Sequence, residues 1–205
     1  YLSDGGKVYL ILGDTTSDTP NLDGIMSDYG LKKVSGYIAD TQRCYQGNYY
    51  AIFPQLSLSG DLGSGISNQM VLLLNSPGME KTDTDNDNLT VTPFMQTSDS
   101  GYAVTENDQT QGQYILGAVS TNAISADSSD SDSEDEDDES DATDTDTKTA
   151  RLTVLASASM ISSDITDQLT TLDNLTLFVN SVTENFDNVN NVAIEAKSLS
   201  TETNT

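Results

Sequence analysis

No histidine and no tryptophan occur among the 205 residues, and cysteine appears once, as Cys44. Without histidine, no mechanism can use an imidazole as base, acid or metal ligand. A lone cysteine rules out an intrachain disulfide and the cysteine-pair zinc sites. Basic residues are scarce as well, eight against 33 acidic ones, for a net charge of −25. Such a field repels phosphate backbones and anionic leaflets, which argues against nucleic-acid binding and against a peripheral electrostatic membrane anchor. Long apolar runs are missing too: the longest, at 8–12 and 70–74, are far too short to span a bilayer. No secretory signal pattern opens the chain. Its first six residues, YLSDGG, read instead as the last turn of a helix with a glycine stop, so the sequence reads as an excised segment.

What is present is unevenly spread. Residues 127–146 hold 12 of the 33 acidic residues and no base, in an Asp, Glu, Ser and Thr mixture that offers almost nothing to bury. Like charges and low hydrophobicity predict a disordered loop there, joining strands at 113–119 and 151–156. The remainder has the length to bury a core. The expected organisation is a single α/β domain over 1–199, interrupted by an acidic insert at 126–149 and followed by a tail at 200–205.

The stretch 150–186 organises the rest. An apolar, β-branched strand, ARLTVLA from Ala150, passes through Ser157-Ala158-Ser159 toward an amphipathic segment. There Ile165, Leu169, Leu172, Leu175, Val179, Val182 and Phe186 recur at spacings of three and four, predicting one helix over 164–186, ~34 Å long at ~1.5 Å per residue. Upstream, 7–14 reads as a strand apolar on both faces, hence central and parallel. A helix capped by Asn21 and ended by Gly30 follows, then a strand over 34–40, together a βαβ unit. Short extended pieces are expected at 50–53, 70–74 and 89–95, loop at 56–68, and polar surface at 96–103.

These pieces resemble a family. YLSDGGKVYLILGD near one end, MQTSDSGYAV in the middle, and ARLTVLASASMISS with DNLTLFVNSVTENF and VAIEAKSL near the other resemble the extracytoplasmic region of gliding-motility-associated ABC transporter auxiliary proteins, ABC-2-type transport components. The matching positions are Leu2, Gly5, Gly6, Thr97, Ser98, Ala150, Arg151, and either Asn174 or Asn180. The resemblance implies a three-layer α/β fold, flavodoxin-like or glutamine-amidotransferase-like, with a mostly parallel sheet of about four to six strands, of which this chain carries the later half. It also implies a place on the extracytoplasmic face of the cell membrane, tethered by segments outside this chain, with an ABC transporter permease or other membrane subunit as partner. The acidic run is not part of the family pattern.

Candidate sites follow from the rule that open α/β sheets bind ligands beyond the carboxyl ends of their strands. Asp14-Thr15-Thr16, Asp40-Thr41-Gln42-Arg43 and Ser157-Ala158-Ser159 then form a polar crevice for a small extracellular solute, with Asp14, Thr15, Asp40, Arg43, Ser157 and Ser159 as its groups. The plainer reading makes the aspartates turn residues and the serines a close-packing link. Neither Ser157 nor Ser159 has the flanking glycines of a nucleophile elbow, and no histidine can activate them, which points away from an enzyme. A degenerate or unusual hydrolase stays open as an alternative. Asp83, Asp85 and Asp87 alternate as calcium ligands do, but Asn88 and Phe94 stand where an EF-hand loop needs glycine and glutamate. No cofactor is expected beyond such a loose calcium site, which gives a third reading, a calcium-dependent surface adhesion module.

Overall fold

The computed structural model describes residues 1–13, 18–124 and 148–186. Leu2–Asp4 form a single 3-10 turn, closed by Gly5 in the left-handed region at φ 87°. Strand β1 (Lys7–Ile11) follows, then helix α1 (Pro20–Asp28), with proline in its first turn, where no amide is missed. A run of short strands comes next: β2 (Leu31–Val34), β3 (Tyr37–Asp40), β4 (Cys44–Tyr45), β5 (Asn48–Ile52), β6 (Gln55–Leu56), β7 (Leu73–Leu74) and β8 (Gly78–Lys81). The longer strands are β9 (Leu89–Gln96), β12 (Ile115–Ile124) and β13 (Lys148–Leu155), with β10 (Gly101–Val104) and β11 (Gln109–Gln111) between the first two. A one-turn helix α2 (Ser163–Thr166) and helix α3 (Asn174–Asn185) complete the described chain.

β12 is the ruler of the main sheet. Along one side it pairs antiparallel with β9, and β9 carries β6 beyond it. Along the other it pairs antiparallel with β13, whose far neighbour β1 makes the only parallel pair among the described strands. Where β13 ends, at Leu155 opposite Gly117, β8 takes its place against β12 through Met79 and Ile115, and β2 lies beyond β8. Two small antiparallel sheets, β11-β10-β3 and β4-β5-β7, stand beside it. Leu116, Ala118, Leu152, Val154, Phe94, Met95, Met26 and Leu31 are buried to 1% exposure or less and form the core with residues from the smaller sheets.

The architecture departs from the expected one. The sheet is mixed and mainly antiparallel, so the flavodoxin-like or amidotransferase-like, mostly parallel three-layer fold is not what forms. Burial on both faces does not by itself mean parallel pairing. Six consecutive residues from Ile115 to Ser120 are buried because layers cover both faces, and covering layers do not fix strand direction. β1 is an edge strand, half-buried throughout, clothed by α3 through the edge-on contact of Tyr9 and Phe178. The βαβ unit is absent as well. Ser35 and Gly36 split the expected strand 34–40 into β2 and β3, which enter different sheets, and the chain of pairings makes β2 run opposite to β1.

The long helix is also divided. Asp173 turns its carboxylate to the amides of Ser67, Asn68 and Met70, while its own amide donates to the Met70 carbonyl. Held to that loop, the chain cannot continue α2 into α3. The polar segment 96–103 is not surface: Thr97 and Ser98 are buried, and Gly101–Val104 is strand. The loop expected at 56–68 includes a 3-10 turn at Gly60–Gly63. Strands were expected at 113–119 and 151–156 and form as β12 and β13; apart from Lys148 and Thr149, which belong to β13, and Ile124 before it, the acidic insert between them lies outside the described residues, as does the tail.

Candidate functional site

The main sheet creates a cleft at its edge. On the ruler of β12, Ile11 is level with Gly117 through Leu155, and Lys33 is level with Ile115 through Met79. β1 and β2 therefore approach one another with their carboxyl ends opposed. Between them opens a cleft of about 600 Å³, lined by residues 11–13, by Asp18, Leu22 and Asp23 around α1, by residues 32–37, and by Pro77. That volume suits a small molecule or a few residues of peptide.

Its floor is apolar, from Ile11, Leu12, Leu22, Val34 and Pro77, and both of its lysines are paired with carboxylates. Lys33 Nζ donates to Asp23 Oδ1 at 2.8 Å and to Thr19 Oγ1 at 2.5 Å. The hydrogen bond from Lys33, helped by its charge and by the Thr19 hydroxyl against some burial, holds the Asp23 carboxyl below the usual range. Lys32 reaches Glu80 at 3.4 Å.

The residues singled out from sequence are not gathered in this cleft. Asp14 and Thr15 lie outside the described residues, although Gly13 and Asp18 on either side line the cleft. Asp40, fully buried, ends β3 and accepts four hydrogen bonds, from the amides of Gln42, Arg43 and Ser98 and from the Ser98 hydroxyl. Burial raises its pKa, but the Ser98 and Arg43 amides, the Ser98 hydroxyl and the Gln42 amide outweigh it and bring the carboxyl below its ordinary value. Arg43 points elsewhere, donating from Nε to the Phe53 carbonyl at 2.7 Å and from Nη2 to that of Pro54. Ser157 donates to Ser159 Oγ at 2.8 Å and accepts from the Ser159 amide, and Ser159 Oγ accepts from the Leu74 amide. Ser157 caps the 3-10 turn at Ala158–Ile161, and Ser159 lies within it. Asp83, Asp85 and Asp87 are exposed on the turn after β8, whose shape comes from Asn86: its side chain accepts from the Asn88 amide and donates to Asn122. Among the described residues no group of three or more acidic or cysteine side chains is placed to hold a metal ion.

The positions that carry the family resemblance serve the scaffold. Gly5 closes the first turn. Thr97 Oγ1 accepts from the Tyr114 amide and Ser98 binds Asp40. Ala150 is fully buried, Arg151 pairs with Glu184 at 2.7 Å, Asn174 bridges Leu72 and Met160, and Asn180 donates to the carbonyls of Leu62 and Ser64.

A polar seam under α3 was missed from sequence. Tyr9 and Ser181 meet at 2.6 Å, Thr153 donates to Asn185 Oδ1 at 2.7 Å, and Arg151 Nε, Glu184 Oε2 and Asn185 Nδ2 are buried with no partner among the described residues. Its signal is the helical spacing of Asn174, Ser181 and Asn185 with Leu177, the face α3 turns to the sheet; Leu175 and Val179, 56% and 47% exposed, face away.

No protein-family model and no curated protein matches the sequence. Among solved structures the chain is similar to the mmIFT52 N-terminal domain, with a TM-score of 0.54 and 13% identity, over 90% of this chain and 67% of that one. At that identity the likeness is one of fold.

Proposed function

We propose that this chain is a non-catalytic extracytoplasmic module of an ABC-transporter-associated membrane protein, held at the outer face of the cell membrane by segments outside it, and that it binds a partner subunit or a small solute in the cleft between β1 and β2. The setting is supported by the resemblance carried by Leu2, Gly5, Gly6, Thr97, Ser98, Ala150 and Arg151; the fold which that resemblance implies does not come with it. Binding without turnover is supported by one observation, a cleft whose floor is apolar and whose lysines are both neutralised by carboxylates. The hydrolase alternative is disfavoured because Ser157 and Ser159 are bonded to each other and the chain has no histidine.

Gly13 offers the test. Among the described residues an added Cβ there meets nothing within 4 Å, so Gly13→Trp adds a large ring to the wall of the cleft without a clash at its Cβ. Co-expressed with an ABC-2-type permease of the same transport system, the chain should retain the permease on capture, and Gly13→Trp should release it. If a solute is the ligand, 100 times its Kd adds ~2.7 kcal/mol to stability, visible as a thermal shift that Gly13→Trp abolishes. Retention of no permease together with no shift from any extracellular solute rejects the reading.

A further inference from the structure

β2 is the last strand on its side of the main sheet: β8 pairs with one edge, and among the described residues no strand pairs with the other. The register fixes which backbone groups face outward. The Thr82 amide donates to the Gly30 carbonyl, so Lys32 faces Glu80 and Val34 faces Gly78 as hydrogen-bonded pairs. Alternation then turns the amide and carbonyl of Lys33 away from β8, toward the open edge. No described residue hydrogen-bonds to either. Residues 32–36 line the cleft consecutively, as an exposed strand edge does, while Ile11, Leu22 and Pro77 supply apolar surface beside it.

We infer that the cleft receives an extended peptide segment of a partner protein, added as a strand along the outer edge of β2 and hydrogen-bonded to the main chain of Lys33. This rests on the partner-binding form of the proposed function. Strand addition takes its affinity from main-chain bonds and its selectivity from alternate side chains. The occupant's charge follows from the cleft: both lysines are already paired, and the chain carries −25, so the segment is neutral or basic with apolar side chains on one face. A second copy brings another −25, and lysines on an edge strand guard against self-pairing.

Amide hydrogen exchange on the intact chain, followed by NMR, tests this. In the free protein the Lys33 amide should exchange quickly while those of Lys32 and Val34, bonded to β8, are protected. The probe is the blocked peptide acetyl-Lys-Thr-Val-Thr-Val-Lys-amide, which at saturation should slow the Lys33 amide about tenfold or more. Its form methylated at every main-chain nitrogen, with the same side chains and no main-chain donors, should leave Lys33 unchanged. A Lys33 amide already slow in the free protein, no protection by the peptide, or equal protection by the N-methylated form overturns strand addition. Permease retention that Gly13→Trp abolishes, without peptide protection of Lys33, sinks the strand and keeps the partner reading; protection without permease retention does the reverse.

Discussion

Asn174, at the start of α3, holds both main-chain groups of Leu72: its Oδ1 accepts from the Leu72 amide at 2.9 Å, its Nδ2 donates to the Leu72 carbonyl at 2.8 Å, and the same nitrogen reaches the Met160 carbonyl at 3.0 Å. All of this is buried. Truncation strands one donor and two acceptors away from water, each worth about 1–3 kcal/mol if left unmet. Asn174→Ala should therefore lower the unfolding free energy by about 3 kcal/mol in a urea titration. A loss under about 1 kcal/mol means the clamp does not hold α3 to the β7 region.

Asp40 makes a pH prediction. Its carboxyl is depressed in the folded state, as is that of Asp173, whose burial is outweighed by the amides of Ser67, Met70 and Asn68 and the Ser67 hydroxyl. A depressed carboxylate stabilises the fold above its unfolded pKa of ~3.9, and that contribution is lost as pH falls through the lower folded value. Unfolding free energy should be level near neutrality and drop below about pH 4. Asp40→Asn, which puts a donor against donors, should cost about 2 kcal/mol at pH 7 and flatten the acid limb. An unchanged limb in that variant assigns acid sensitivity to other carboxylates.

Strand positions were legible because apolar runs at 7–12, 89–95, 113–119 and 150–156 have strand length and β-branched content. Strand direction was not, since β12 and β13 would read the same with either neighbour orientation. α3 misled for a different reason: hydropathy selects Leu175 and Val179, yet hydrogen bonds to Tyr9, Thr153 and Leu72 draw Ser181, Asn185 and Asn174 inward. Thr97 and Ser98 are buried by the same logic, one accepting from the Tyr114 amide and the other donating to the Asp40 carboxylate. For the site, the strand-end rule placed attention at the end of β1, where the cleft begins. The other wall, β2, became visible only through the register that sets Lys33 two residues from Ile11 along β12.

Two glycines should respond oppositely to alanine. Gly24 lies inside α1 with nothing within 4 Å of an added Cβ, so Gly24→Ala removes chain entropy and exposed helix backbone without a clash. It should stabilise by about 0.5–1 kcal/mol. Gly36 turns the chain from β2 to β3 at φ 84°, and an added Cβ would lie 2.0 Å from the Val104 carbonyl oxygen. Gly36→Ala must displace that backbone and should cost more than about 1 kcal/mol. Equal melting temperatures for the two variants contradict the turn geometry.

Alkaline stability should turn on Tyr9. Its ring packs edge-on against Phe178, and its hydroxyl meets that of Ser181, which lies within hydrogen-bond reach of the Phe178 carbonyl as well. Burial, partly offset by the Ser181 contact, pushes the phenol up to about 12. Unfolded, the phenol ionises near ~10, so above that pH the unfolded chain holds fewer protons than the folded one, and stability falls as pH rises. The contribution is complete below pH ~10, is lost by about pH 12, and is on the order of 2 kcal/mol. Tyr29 and Tyr114, both raised first by burial, add to the slope, so Tyr9→Phe should shallow the alkaline limb without abolishing it. Ultraviolet titration of the folded protein checks the assignment directly: the latest phenolate transition should vanish in Tyr9→Phe, and its persistence would move the high-pH group to another tyrosine.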